Sequence, residues 1–250
     1  MSPRLRADRL LVDRGLFESR AKAQAAIAAG LVTADGVPVG KPSDTLPADA
    51  VIAAAPAHPY VSRGALKLAA ALDAGAIDPA GRVCLDVGAS TGGFTDLLLA
   101  RGAEKVHAID VGRDQLHPKL RADPRVVSRE ATDIRTLTSD DFDTAPSLVV
   151  IDVSFIPLAL VLPATLALAT PGCDLVALIK PQFEAGREHL KKGLVRDPAV
   201  HAAVCENAAA LVRSLACEVR VLLPSPITGG DGNREFLLIA RRDAPPGDPT

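Results

Sequence analysis

Net charge is nearly absent: 28 Lys and Arg against 30 Asp and Glu leave −2 over 250 residues. With no global positive field, nucleic-acid contact would have to come from local basic patches. Cysteine is sparse. The four residues Cys84, Cys173, Cys205 and Cys217 form no CxxC and have no histidine at metal-ligand spacing, which argues against a zinc site and for a reducing compartment. The opening MSPRLRADRL lacks the apolar core of a signal peptide, so a cytoplasmic location is expected. Charge is also missing from 153–173, VSFIPLALVLPATLALATPGC, 21 residues long and sufficient to span a bilayer. Pro157, Pro163 and Pro171 interrupt it, so a strand end, a core helix and the start of another strand are expected instead. At 48% apolar and 23% charged, the composition is ordinary for a globular chain of one large domain or of a small one plus a medium one.

Two parts are distinguishable. In the first, RLRADRLLVDRGL and SRAKAQAAIAAGLV read as two short helices, with Ser19 as N-cap and Gly30 as stop for the second. LVTADGVPV reads as a hairpin turning on Asp35-Gly36, and AVIAA at 50–54 closes a small sheet. Residues 1–30 carry six Arg/Lys against three Asp/Glu, a locally positive pair of helices in a slightly acidic chain. PAHP at 56–59 reads as a linker. Beyond it a helix, GALKLAAALDAG, precedes the strand candidates VCLDVGA, KVHAID, RVVSRE, SLVVIDV and CDLVALIK, most of them separated by helix-length segments. That alternation predicts a doubly wound parallel sheet. EVRVLLPSP and REFLLIA, joined through ITGGDGN, predict that it finishes on an antiparallel strand, and APPGDPT reads as a disordered tail.

DVGASTGGFT, residues 86–95, follows a strand and opens a helix. Gly88 suits the tight turn, and Gly92 and Gly93 suit close approach of the backbone to a ligand, but the spacing is not GxGxxG. Asp110, 24 positions after Asp86, is placed to hold a ribose hydroxyl pair. Asp86 would repel a pyrophosphate and suits an ammonium or sulfonium instead. With Asp133 available for an adenine amino group, the pattern points to S-adenosylmethionine.

Four further polar residues stand out: Asp152 and Lys180 at carboxyl strand ends, Glu235 at the start of the last strand, and Lys67 in the helix before the first strand. Each alone is more often a solvated surface group; converging on a methyl-donor pocket they suit a hydroxyl acceptor. A ribose 2′-hydroxyl is a poor nucleophile until its proton is removed, which a neutral lysine amine can do, a form favoured by desolvation and nearby cations. Pro181 would keep Lys180 aimed. Amino-group methylation commonly uses an Asn/Asp-Pro-Pro-aromatic turn where this chain reads DVSF, and carbon-5 pyrimidine methylation needs a cysteine at a strand end where Cys173 instead opens its strand.

These stretches together resemble the TlyA family, an S4-type RNA-binding domain joined to an FtsJ-like 2′-O-ribose methyltransferase domain. The resemblance spans essentially the whole chain and rests on RADRLLVDRGLFESRAKAQ, YVSRGALKL, DVGASTGGFT, DVSF, LIKPQFE and GGDGNREF. It implies a small α+β S4 domain at 1–55, a linker at 56–62, and a Rossmann-like, seven-stranded α/β methyltransferase domain at 63–243 whose last strand is antiparallel. It implies S-adenosylmethionine as methyl donor, held by Asp86, Gly88, Ala89, Ser90, Gly92, Gly93, Phe94, Asp110, Asp133 and Asp152. It implies a Lys-Asp-Lys-Glu set at Lys67, Asp152, Lys180 and Glu235, with Lys180 as base. The partner implied is ribosomal RNA, methylated at cytidine 2′-hydroxyls of 23S and, in some members, 16S RNA, and gripped by Arg4, Arg6, Ser19, Arg20 and Lys22 with Lys191, Lys192 and Arg196 extending the surface. The linker departs from the Arg-Ala-Trp form of the family, reading AHPY. Two rival readings are a non-catalytic ribosome-assembly factor and, because members carry haemolysin names, a membrane-active protein.

Overall fold

A computed structural model describes residues 2–243; Met1 and 244–250, the expected tail, lie outside the described residues. The chain divides into two compact units, one up to Pro59 and one from Tyr60.

The first unit runs β1 (Arg4–Arg6), α1 (Ala7–Asp13), α2 (Arg20–Ala28), β2 (Val32–Ala34), β3 (Val37–Pro38), β4 (Thr45–Pro47) and β5 (Ile52–Ala54). Ser19 caps α2, its hydroxyl accepting from the Lys22 N–H at 3.3 Å. Gly30 ends the helix at φ 71°, and Asp35 and Gly36 turn the β2–β3 hairpin at φ 50° and 78°. β5 pairs antiparallel with β2, as the 50–54 stretch predicts. One expectation shifts: Arg4 to Arg6, read as the start of a helix, form β1 and pair with β4, 41 residues on. Propensity within a window cannot see that partner. Leu11, Ala23, Ala26, Ile27 and Val32 fill a small core between the helices and the strands.

The second unit runs α3 (Gly64–Ala74), β6 (Val83–Val87), α4 (Gly93–Ala100), β7 (Lys105–Ile109), α5 (Pro118–Arg121), β8 (Val126–Arg129), β9 (Leu148–Ile151), α6 (Leu158–Ala167), β10 (Asp174–Ile179), α7 (Pro181–Glu184), α8 (Pro198–Ser214), β11 (Cys217–Pro224) and β12 (Phe236–Arg242). Its strands form one sheet in the order β11-β12-β10-β9-β6-β7-β8, parallel except β12, which runs antiparallel to both neighbours. This is the seven-stranded α/β architecture expected of the sequence. The central strands are buried on both faces. Leu85, Val149, Ile151, Leu175 and Ala177 pack towards α6 and α8, while Cys84, Val106, Val150, Val176 and Leu237 pack towards α3 and α4. At a few kcal/mol per fully buried side chain, these two layers dominate the stability of the unit.

The uncharged stretch becomes the loop after β9, helix α6 and the approach to β10; among the described residues no helix is long and apolar enough to cross a membrane. Pro157 precedes α6 and Pro163 lies within it. The first free N–H of α6, that of Leu158, is met at 2.8 Å by Glu184 from α7, whose carboxyl burial pushes up from its ordinary range.

Candidate active site

The chain leaves β6 towards β7 and β8 on one side and returns to β9 on the other, so the carboxyl ends of β6 and β9 flank a topological switch point, where such sheets hold ligands. The turn after β6 lies hard against β9. Gly88 stands at φ 83°, and a side chain there would come within 2.6 Å of the Asp152 carbonyl oxygen. Two cavities open at this crevice and share Gly88, Ser90, Asp152 and Ser154. The first, of about 410 Å³, is lined by Lys67, Ala89, Gly93, Phe94, Lys180 and Thr228 among others. The second, of about 550 Å³, is lined by Asp110, Gln115, Asp133, Phe155, Ile156 and their neighbours.

At the first cavity the four polar residues singled out in the sequence form two ion pairs. Lys180 Nζ lies 2.6 Å from Asp152 Oδ1 and donates at 2.8 Å to Ser154 Oγ. Lys67 Nζ donates at 2.5 Å to Glu235 Oε2, joining residues 168 positions apart. Both lysines are buried, and Glu235 is 3% exposed. Removing a partner would leave a buried charge uncompensated, so these pairs hold one another in place. Gly229 admits the glutamate: a side chain there would meet Glu235 Oε1 at 2.5 Å. Lys180 directly follows β10 as the N-cap of α7, which Pro181 begins, so the lysine sits where strand gives way to helix. Ser154 is the residue that motif reading passed over. Its only signal was its place in DVSF, two positions after Asp152.

The second cavity suits a nucleoside. Asp110 accepts from the Ser90 N–H through Oδ2 and the Gly112 N–H through Oδ1, each at 2.7 Å. A carboxylate has about four acceptor sites, leaving capacity for a hydroxyl pair. Asp133 caps the turn at 134–136 and is paired with Arg135 at 2.6 Å, which holds its carboxyl below the usual range. Phe155, 90% exposed and at φ 65°, lines this cavity and tilts against Phe183 with ring centres 5.0 Å apart.

Of the motif residues, Asp86 and Gly92 lie outside both cavities, whereas Gly93 lines the first. Asp86 is wholly buried and lines neither cavity: it points to α4, where Oδ2 accepts from Thr95 Oγ1 at 2.7 Å and Oδ1 has no partner. Burial pushes its pKa up to about 7, with the charges of Asp152 and Asp110 adding and the Thr95 bond opposing. Gly92 is required by φ 97° and by Leu120, whose methyl would lie 2.2 Å from a side chain there, and Gly93 by the Ser62 hydroxyl at 2.1 Å. Contacts within the chain thus require glycine at both positions, and Gly93 also lines the first cavity.

The basic residues are placed as follows. Arg6 and Arg20 converge on Asp8, a buried carboxylate that also accepts from Gln24 Nε2 at 2.8 Å. Their bonds, Arg6 foremost, hold the Asp8 carboxyl well below the carboxylate range against the opposing effect of burial. Half or more of each arginine side chain remains exposed. Arg4 bonds to Thr45, Lys22 pairs with Glu18, and Ser19 is occupied as the cap of α2. In the second unit Lys191, Lys192 and Arg196 are exposed on the loop between α7 and α8.

Comparison with known proteins gives these sites a family. Residues 60–242 match the FtsJ-like methyltransferase family and 5–52 the S4 domain. A 16S/23S rRNA (cytidine-2′-O)-methyltransferase, TlyA of Mycobacterium tuberculosis, is 46% identical over 246 residues, covering 96% of this chain and 91% of that protein. Hemolysin A of Brachyspira hyodysenteriae is 40% identical, covering 93% of this chain and 98% of that protein. A solved structure from Streptococcus thermophilus, also bearing a hemolysin name, is 42% identical and superposes with a TM-score of 0.76 over 98% of this chain and 91% of that one. With both domains matched in order and relatives alike over nearly their full length, the chain belongs to the TlyA family of S4-linked, FtsJ-like methyltransferases.

Proposed function

We propose that the protein methylates cytidine 2′-hydroxyls of ribosomal RNA, of 23S and, as in some members of the family, also of 16S, with S-adenosylmethionine as donor and Lys180 as the base. One observation supports this above the rest: the cavity lined by Asp110 and Asp133 adjoins the cavity lined by two buried, ion-paired lysines, with Gly88, Ser90, Asp152 and Ser154 shared between them. The donor set fits the methyl donor: Asp110 would hold its ribose hydroxyls and Asp133 its adenine amino group, and Gly88 and Ser90 of the turn line both cavities. When bound, S-adenosylmethionine supplies an electrophilic methyl group on a sulfonium.

In its neutral amine form Lys180 would take up the 2′-hydroxyl proton at Nζ, and the donor would supply the methyl group to the oxygen so freed. Asp152 and Ser154 fix Nζ in direction, and the Lys67–Glu235 pair positions the acceptor ribose on the other side of the cavity. Asp86, bonded to Thr95 of α4, lines neither cavity and supports the turn that begins at Gly88. Arg4, Arg6, Arg20 and Lys22 on the S4 unit, with Lys191, Lys192 and Arg196, bind phosphates, which positions RNA without reading its sequence. Exposed Phe155 suits contact with an unstacked base.

The test is tritiated methyl transfer to separate small and large ribosomal subunits that lack the modification. Wild type should label one or both, and Lys180→Ala should lose about 10²–10⁴-fold, the usual contribution of a general base. Full activity in Lys180→Ala would refute the assigned base. Absence of both label and cofactor binding in wild type would favour a non-catalytic assembly factor.

A further inference from the structure

The basic loop and the acceptor side of the cavity are joined by one buried side chain. Asn233 is 2% exposed and lies two positions before Glu235. Its Oδ1 accepts from the Val195 N–H at 3.1 Å, and its Nδ2 donates to the Gly193 carbonyl at 3.0 Å. Both partners belong to the stretch carrying Lys191, Lys192 and Arg196. That stretch is a tight turn: Lys191 and Leu194 exchange backbone hydrogen bonds at 2.9 and 3.1 Å, with Lys192 and Gly193 at φ 53° and 78°. His201 Nε2 lies 3.0 Å from the Val195 carbonyl, pinning the base of the turn to α8.

On the other side, the Asn233 carbonyl accepts from the Gly229 N–H at 2.9 Å and the Glu235 carbonyl from the Ser225 N–H at 2.9 Å, which closes the glycine loop. A continuous path therefore runs from exposed cations, through two side-chain bonds, to the glutamate that holds Lys67. A loop of Gly229, Gly230 and Gly232 has little conformational preference of its own, so an external tie decides where it rests.

We propose that Asn233 is a positioning residue for methyl transfer, coupling the basic turn 191–196 to the loop carrying Glu235, so that RNA phosphate held on the turn sets the Lys67–Glu235 pair. This rests on the RNA-methylation reading above. Lys191 and Lys192 then serve the chemical step as well as binding, because part of what they gain from phosphate reaches the acceptor side.

Two measurements test it. In single-turnover transfer at saturating RNA, Asn233→Ala should slow the reaction about tenfold or more while RNA affinity stays within about threefold, because the coupling acts after binding. Lys191→Ala with Lys192→Ala should slow the wild-type step but not that of Asn233→Ala. Effects that simply multiply would show the sites to be independent and overturn the proposal. Asn233→Asp keeps the bond from Val195 and loses that to Gly193; it should be intermediate, and it serves where the alanine variant does not fold.

Hydrogen exchange with polycytidylic acid reads the coupling without activity. The RNA should protect residues 226–235 along with 191–196 in wild type, but only 191–196 in the Asn233 variant. Protection of 226–235 that persists in the variant, or that wild type never shows, overturns the inference. A wild type that shows this protection yet methylates no ribosomal RNA would instead defeat the assigned reaction.

Discussion

Replacing Glu235 by alanine tests whether the Lys67–Glu235 pair is structural as well as functional. The Lys67 side chain is 10% exposed and that of Glu235 3%, with the charged atoms 2.5 Å apart, so solvent cannot replace the lost carboxylate. Removing one partner of such a pair costs about 3–5 kcal/mol, chiefly by stranding the other charge. For a domain of this size each kcal/mol moves the melting temperature about 2–4 °C, so the transition of the second unit should fall by roughly 6–20 °C. Differential scanning calorimetry reads this directly. The informative control is Lys67→Met combined with Glu235→Leu, which removes both charges at similar volume and should return stability to within about 1–2 kcal/mol of wild type while methyl transfer stays abolished. A loss under about 1 kcal/mol in Glu235→Ala, or a double variant no more stable than the single, would refute the claim that burial governs this pair.

Asp86→Asn should flatten the pH dependence of stability. The native pKa of Asp86 is raised to about 7 against an unfolded value near 3.8, so the native state holds the proton more tightly. Its stabilising contribution is full below pH 3.8 and is lost as pH rises through 7, by at most about 1.4 kcal/mol per pH unit; melting curves of wild type and variant that run parallel from pH 4 to 8 would contradict this. Gly92→Ala should destabilise by more than about 1 kcal/mol, since φ 97° is strained for any side chain and Leu120 occupies the space, and urea unfolding unchanged from wild type would refute it.

Much of the molecule follows from short-range pattern. Ser19, Gly30 and Asp35-Gly36 act through bonds and dihedral angles within three or four residues of themselves, so their roles are visible in a window. The alternation of apolar runs with helical stretches likewise determines a parallel sheet, because crossovers must cover both of its faces. That the polar ends of those strands meet follows in turn, since parallel strands bring their carboxyl ends to one edge. Lys180 and Asp152 could be paired on that ground before any coordinates.

What tertiary structure alone decides is which way a buried residue faces and who sits opposite. Both faces of β6 are covered, so its sequence shows no alternation to reveal that Asp86 turns towards α4 and lines neither cavity. The need for glycine at 92 and 93 comes from Leu120 and Ser62, neighbours in space that no local motif names. Glu184 capping α6, Lys67 meeting Glu235 and Asn233 tying two loops together all join positions 26 to 168 residues apart. The elements, their order and the strand ends where chemistry gathers are legible in the sequence; the partners of its buried polar groups come from chain packing, because only the folded chain brings their hydrogen-bonding atoms within reach.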